Sequence, residues 1–222
     1  MTRLALFDLD HTLLSGDSDM LWCEFLMSEG LLPRAEFEPR NAEMAGHYAD
    51  GSVTPQAFCA FYAGTLAGRS PLEWRPWCER FVREAVLPRI PASALALVDA
   101  HRTRGDRLVL TTATNRLLTA PTAVHLGIGD LIATEVEVVG GVCTGRTDGT
   151  LNMREGKVER LRAWLAVEGL AAAALAQAVF YSDSLNDLPL LTAVGTPVAV
   201  DPDPQLRAHA VARGWVVLTL AR

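Results

Sequence analysis

The sequence predicts an α/β fold: a parallel sheet with helices on both faces, an inserted all-helical segment and a small β-hairpin. Short β-type runs alternate with longer helical stretches, the order that lays strands side by side with helices crossing between them. The stretch 16–85 departs from this alternation and reads as helix only. Two further β-type runs flank Gly140-Gly141, the signature of a tight turn with positive φ. Residues 1–15 and 86–222 are therefore expected to form the α/β core, with 16–85 an inserted helical unit.

Leu4-Ala5-Leu6-Phe7 is the first strand. In the insertion, Thr54-Pro55 reads as an N-cap followed by proline at the first helical position, and Ser70-Pro71-Leu72-Glu73 has capping-box spacing. Trp22, Tyr62, Trp74 and Trp77, with Phe25, Phe58, Phe61 and Phe81, supply enough apolar area for this segment to have a small core of its own. Helices are then expected over 91–104, 116–126 and 155–168, each closed by a glycine (Gly105, Gly127, Gly169). Leu108-Val109-Leu110 is the second strand, and a hairpin of Thr134 to Val139 and Val142 to Thr144 is expected beside the main sheet. Ala171 to Ala174 reads as loop or helix end. Ala178 to Tyr181, Val198 to Val200 and Val216 to Leu218 complete the strands.

At 222 residues the chain suits one large domain or a core with an insertion, given roughly 150 residues per domain. Its 50% hydrophobic residues can bury a sizeable core. A net charge of −6 with no basic run argues against nucleic acid or an anionic membrane as partner. Cys23, Cys59, Cys78 and Cys143 lie far apart with no CxxC pair, against a zinc site or a disulfide framework. The first apolar run stops at Asp8, too short for a signal peptide or membrane helix, so a soluble cytoplasmic protein is expected. The sequence carries no signal for an oligomeric state.

Asp8 and Asp10 follow the first strand, Thr111 and Thr112 the second, and Asp183 the third, with Asp187 four residues on. Ligands of open parallel sheets bind outside the carboxyl ends of the strands, so these side chains are expected to meet. Like charges ~4 Å apart repel by roughly 4 kcal/mol at an effective dielectric of 20, so a cation is required among the acids. All-oxygen ligands suit a hard ion such as Mg2+, and Lys157 can add a second positive charge. Cation, lysine and hydroxyl together describe a phosphate site. Taken singly, each residue also has a structural reading: the later acids as helix caps, Thr112 as a strand-end hydroxyl and Lys157 as a solvated helix residue.

The ordered set Asp8-Leu9-Asp10-His11-Thr12, Thr112, Gly156-Lys157 and Ser182-Asp183-Ser184-Leu185-Asn186-Asp187 resembles the four motifs of the haloacid dehalogenase-like phosphatases. The helical insertion resembles the cap of their phosphoserine-phosphatase-like branch. That resemblance implies a Rossmann-like core, a small phosphorylated metabolite as substrate and Mg2+ as cofactor. It implies that Asp8 is a nucleophile forming an aspartyl-phosphate and that Asp10 is the general acid and then base. It further implies that Asp8, Asp183 and the Asp10 carbonyl bind the metal, with Asp187 acting directly or through water, and that Thr112, Ala113, Lys157 and Asn186 hold the phosphate.

Phosphoserine phosphatases of that branch read serine with a cap glutamate and a cap arginine. Here the aligned positions are Asp17 and the neighbourhood of Ala60, and no arginine lies between Arg40 and Arg69. The second motif is Thr112-Ala113-Thr114 in place of Ser-Gly-Gly. Asp17, Asp19 and Glu24 instead predict an acidic mouth suited to a cationic phosphomonoester, histidinol phosphate being one candidate alongside a phosphoserine-like ester. Asp17 or Ser18 equally fits as the cap of the helix containing Leu21 and Phe25. His11 is open to either substrate or solvent, and the remaining histidines read as surface or helix-face residues. The alternatives are a phosphomutase acting on a phospho-sugar and a phospho-accepting receiver-like signalling module. The latter predicts a shorter chain, with its acceptor on a middle strand and no insertion.

Overall fold

The computed structural model describes residues 2–49 and 51–221. Its strands are β1 (Leu4–Phe7), β2 (Arg107–Asn115), β3 (Asp130–Val139), β4 (Val142–Asp148), β5 (Val179–Ser182), β6 (Thr196–Val200) and β7 (Val216–Leu218). They form one sheet in the order β4-β3-β2-β1-β5-β6-β7, parallel throughout except for the β3–β4 pair.

Between β1 and β2 run α1 (Ser18–Ser28), α2 (Arg34–Ala49), α3 (Pro55–Gly64) and α4 (Pro71–Phe81), then a π-helical turn (Val82–Val86) and a 3-10 turn (Leu87–Arg89). The helical path thus continues past residue 85. The expected caps are present: the Thr54 hydroxyl accepts from the Ala57 N–H, and Ser70 and Glu73 cap each other reciprocally. The core adds α5 (Ala92–Thr103), α6 (Arg116–His125), α7 (Glu155–Val167), α8 (Leu188–Ala193) and α9 (Pro204–Arg213).

Strand alternation divides the core between the two faces of the sheet. Ala5, Phe7, Val179, Tyr181, Val198 and Val200 join one apolar cluster, with side chains from α5 and α6. Leu4, Leu6, Phe180 and Ala199 join the other, with Leu161, Leu165, Leu191 and Leu206 from α7, α8 and α9.

Several expectations are corrected. β2 extends through Asn115, so Thr111 and Thr112 lie inside the strand rather than after it; β-branched threonines sustain extended backbone. The hairpin does not stand beside the sheet. Its first arm begins at Asp130 and pairs parallel with β2, so the hairpin extends the sheet at one edge. The helical segment does not keep its aromatic residues to itself either. Trp22, Phe25, Trp74 and Phe81 belong to the cluster containing Phe7, Leu9 and Leu110, whereas Phe58 and Tyr62 form a separate one with Cys23, Cys59 and Met153. His101 is buried, not on the surface: Asp106 Oδ2 lies 2.7 Å from its Nδ1 and the Tyr181 hydroxyl 2.7 Å from its Nε2. Burial depresses its pKa, which favours the neutral ring that can donate from one nitrogen and accept at the other.

The hairpin braces the helical segment. The Gly68 N–H donates to the Cys143 carbonyl and the Cys143 N–H to the Arg69 carbonyl, pinning the α3–α4 connection to β4. All four cysteines are free and buried. Among the described residues, no helix is long and apolar enough to cross a membrane.

Candidate active site

After β1 the chain curls sharply. The Leu9 carbonyl accepts from the N–H groups of Thr12, Leu13 and Leu14, and His11 adopts φ 55° as its N–H reaches the Gly16 carbonyl. The curl holds Asp8 and Asp10 at the carboxyl end of the central strand, where both line a small chamber of about 20 Å³. Asp17, Ala113, Lys157, Asn186 and Asp187 also line it. Thr112 and Asp183 do not: Thr112 is buried behind the wall, and Asp183 stands beside Asp8. His11 is exposed and lies outside the lining.

Lys157 enters from the first turn of α7. Its Nζ donates to Asp8 Oδ1 and Asp187 Oδ2, both at 2.7 Å. An ammonium has three N–H bonds, so one remains for a ligand in the chamber. The approach requires the glycine beside it: a Cβ at Gly156 would lie 2.0 Å from the Leu151 carbonyl oxygen. Ser182 donates to Asp187 Oδ2 at 2.7 Å, completing that side. Burial opposes the ammonium, but the charges of Asp187 and Asp8 outweigh it, and the Lys157 pKa is raised. Burial raises Asp8 to about 7, because a lysine shared by two carboxylates only partly offsets desolvation and the nearby Asp187 and Asp10 charges.

Asp10 sits in different surroundings. Its Oδ1 accepts from the Ser18 N–H at 2.7 Å and its Oδ2 from the Thr114 hydroxyl at 3.0 Å, while Thr112 Oγ1 is 3.5 Å away, at the limit of a hydrogen bond. Burial, then the Asp17 charge, raises Asp10 to about 6. Thr114 also lies 2.9 Å from Asp19 Oδ2. One hydroxyl proton is thus shared between two buried carboxylates, an arrangement that favours a proton on one of them. Asp19 is buried, its Oδ1 has no hydrogen-bond partner among the described residues, and burial followed by the Asp17 and Asp10 charges raises its pKa well above the usual range.

These contacts revise the acidic mouth. Asp19 is sealed behind Thr114, and Glu24 is exposed and lines a different cleft. Asp17 alone of the three faces the chamber, and it also caps α1 by accepting from the Met20 N–H at 2.9 Å. Asp17 thus caps α1 and also stands at the chamber. Ala60 is exposed on α3, away from the chamber.

Asp183 Oδ1 accepts from the Thr12 hydroxyl at 3.0 Å, and Asp8 Oδ2 lies 3.3 Å from the same hydroxyl. Burial, then the Asp8 charge, pushes Asp183 well above the carboxylate range, and Lys157 bonds to Asp8 and Asp187 but not to Asp183. Two carboxylates that share one hydroxyl, with no His or Cys ligand between them, fit a hard divalent cation. Among the described residues, no three of His, Cys, Asp and Glu are gathered as a ready-made metal cluster. The four predicted acids are therefore linked pairwise: Asp8 and Asp183 share the Thr12 hydroxyl, Asp8 and Asp187 share Lys157, and Asp10 is held apart by Ser18 and Thr114.

Sequence reasoning gave Thr114, Asn152, Tyr48, Phe58 and Met153 no place in the site, although Thr114 stands in the second motif and Phe58 among the aromatics of the insertion. Thr114 was within reach, since strand period places it on the face of Thr112. The side-chain nitrogen of the buried Asn152, with two N–H bonds, lies within 3.0 Å of Thr111 Oγ1 and of the Thr112 and Ile132 carbonyls, bracing β2 against β3. Tyr48, Phe58 and Met153 form the apolar wall of the chamber.

Residues 5–192 match the family model of the haloacid dehalogenase-like hydrolases. The chain belongs to that family. Among members of this hydrolase family, histidinol-phosphatase of Neisseria meningitidis serogroup C (strain 8013) is 38% identical over 219 residues, covering 98% of this chain and 99% of the relative. A crystal structure of a protein of unknown function from Bordetella pertussis Tohama I is 46% identical with a TM-score of 0.92, over 98% of this chain and 99% of that one. A substrate-bound phosphoserine phosphatase shares the fold, with a TM-score of 0.71 at 16% identity over 98% and 93% of the two chains. The protein is thus an enzyme, a hydrolase with the architecture of the family's phosphatases, and the receiver-like alternative falls away.

Proposed function

We propose that the protein is a Mg2+-dependent phosphomonoesterase working through an aspartyl-phosphate on Asp8. One observation carries this reading: two carboxylates in contrasting environments, Asp8 clasped by Lys157 and Asp10 by an amide and a hydroxyl, line one small chamber. Asp8 attacks phosphorus, the P–O bond to the leaving group breaks, and Asp10 gives its proton to the departing alkoxide. Asp10 then takes a proton from water as that water attacks phosphorus, releasing phosphate and restoring the Asp8 carboxylate. Lys157, Asn186 and the backbone at Thr112-Ala113 hold the phosphoryl oxygens. Asp8, Asp183 and the Asp10 carbonyl would hold the metal, with Asp187 reaching it only through water. When bound, Mg2+ lowers the negative charge that Asp8 must approach.

The helical segment 16–85 serves as the cap. A chamber of about 20 Å³ has room for about one water molecule and not for a phosphate ester, so Tyr48, Phe58 and Met153 must move for substrate to enter. A cationic small phosphomonoester such as histidinol phosphate suits the Asp17 carboxylate, a reading supported by the name of the Neisseria relative. Four free buried cysteines accord with work in the reducing cytoplasm.

Release of inorganic phosphate from a panel of phosphomonoesters tests the proposal, with Asp8→Asn as control. Turnover by wild type and a loss of at least ~10³-fold in Asp8→Asn, with an unchanged melting temperature, are expected. Transfer of the phosphoryl group to a second sugar hydroxyl without phosphate release would establish a mutase instead.

A further inference from the structure

Arg154 takes no part in the mechanism above, yet it touches both halves of the site. It stands immediately before α7 with φ 52°, three residues from Lys157. Its Nε donates to Asn186 Oδ1 at 2.9 Å and its Nη2 to the Val53 carbonyl at 3.3 Å.

A guanidinium carries donors only, so the Asn186 atom facing it must be the oxygen. The amide nitrogen, with both of its N–H bonds, is thereby turned away from Arg154, and Asn186 is a chamber-lining residue. The second contact reaches the α2–α3 connection. Val53 directly precedes Thr54, the cap of α3, and the flanking helices carry Tyr48 and Phe58, both in the chamber wall. Arg154 itself does not line the chamber.

We propose that Arg154 is a positioning residue that fixes the Asn186 amide as a phosphate donor and ties that orientation to the seating of the α2–α3 connection. When Val53 is in place, the guanidinium is held by two acceptors and presents Nε to Asn186. When the connection lifts, one acceptor is lost and the amide is released. The grip on phosphate and the closure of the apolar wall are thus two ends of one side chain. The inference rests on the phosphatase reading and adds a residue to it.

The experiment is a double-mutant cycle on the inhibition constant of inorganic phosphate against p-nitrophenyl phosphate hydrolysis, using Arg154→Ala, Asn186→Ala and the double variant, with melting temperatures recorded alongside. Arg154→Ala is expected to raise the constant ~10-fold, and the double variant to match Asn186→Ala within about twofold, because Arg154 acts through Asn186. Additive losses, or a lower melting temperature with an unchanged constant, would overturn the role of Arg154 alone. A wild-type protein that neither hydrolyses the ester nor binds phosphate would overturn the phosphatase reading and this inference together.

Discussion

The ammonium of Lys157 lies 2.7 Å from Asp8 Oδ1, with both groups buried at the end of the central strand. The same ammonium neutralises Asp187, so one cation serves two desolvated acids. Lys157→Ala should therefore cost stability as well as activity. Breaking a buried ion pair from one side costs about 3–5 kcal/mol, which at roughly 2–4 °C per kcal/mol predicts a drop in melting temperature of at least ~6 °C. Thermal melts at pH 7.5 in EDTA would show it, and a shift below ~2 °C would mean that the acids do not depend on this lysine.

Metal removal forms the second prediction. Asp183 faces Asp8 across the Thr12 hydroxyl without a bond to Lys157, so EDTA should abolish phosphate release and Mg2+ restore it. Ca2+ should inhibit, because its longer, looser coordination misplaces the phosphoryl oxygens relative to Asp8. Full activity after exhaustive chelation would refute the metal.

Stability should also fall as pH rises in metal-free protein. Asp8 at about 7 and Asp10 at about 6, together with Asp19, hold protons more tightly folded than unfolded. The folded state then binds more protons than the unfolded one, so stability declines from about pH 4, the unfolded carboxyl value, toward pH 7. The melting temperature in EDTA should be higher at pH 5.5 than at pH 7.5 by ~4 °C or more. Asp19→Asn, which keeps a shape able to meet Thr114 without a titrating group, should flatten that slope. Equal slopes in the two proteins would show that Asp19 is charged at neutral pH.

Asp17 both caps α1 and lines the chamber, and substitution can separate the two. Asp17→Ser keeps a side-chain acceptor for the Met20 N–H but removes the charge, whereas Asp17→Ala removes both. Both should raise KM for a cationic ester by ~10-fold and leave p-nitrophenyl phosphate nearly unchanged, while only alanine lowers stability, by ~1 kcal/mol. Equal losses on the two esters would confine Asp17 to its capping role.

The parts of this architecture that the sequence announced are those with local causes. Glycine at a helix end, proline after Thr54 and Ser70, and acids directly after a buried run each act within a few residues. The start of β3 was not legible because Leu131-Ile132-Ala133 is short and bounded by Asp130, leaving too little periodicity to identify a strand. Likewise α8 has six residues, fewer than two turns. Arg154 and Thr114 have meaning only through partners brought together by the sheet: Asn186 lies 32 positions from Arg154, and Asp10 lies 104 from Thr114.

Trp22 packs edge-on against Trp74 and Phe81, in the same apolar cluster as Phe7 and Leu9 from β1 and the curl behind it. The helical segment is consequently a poor unit for transplantation between relatives. A wholesale graft would sever packing that also supports Asp8, and activity would be lost before selectivity could change. Retargeting the enzyme is better sought at Tyr48, Phe58 and Met153, whose smaller cluster lies apart from that shared interior and faces the ligand. A protein engineer would redecorate the wall and leave the joinery alone.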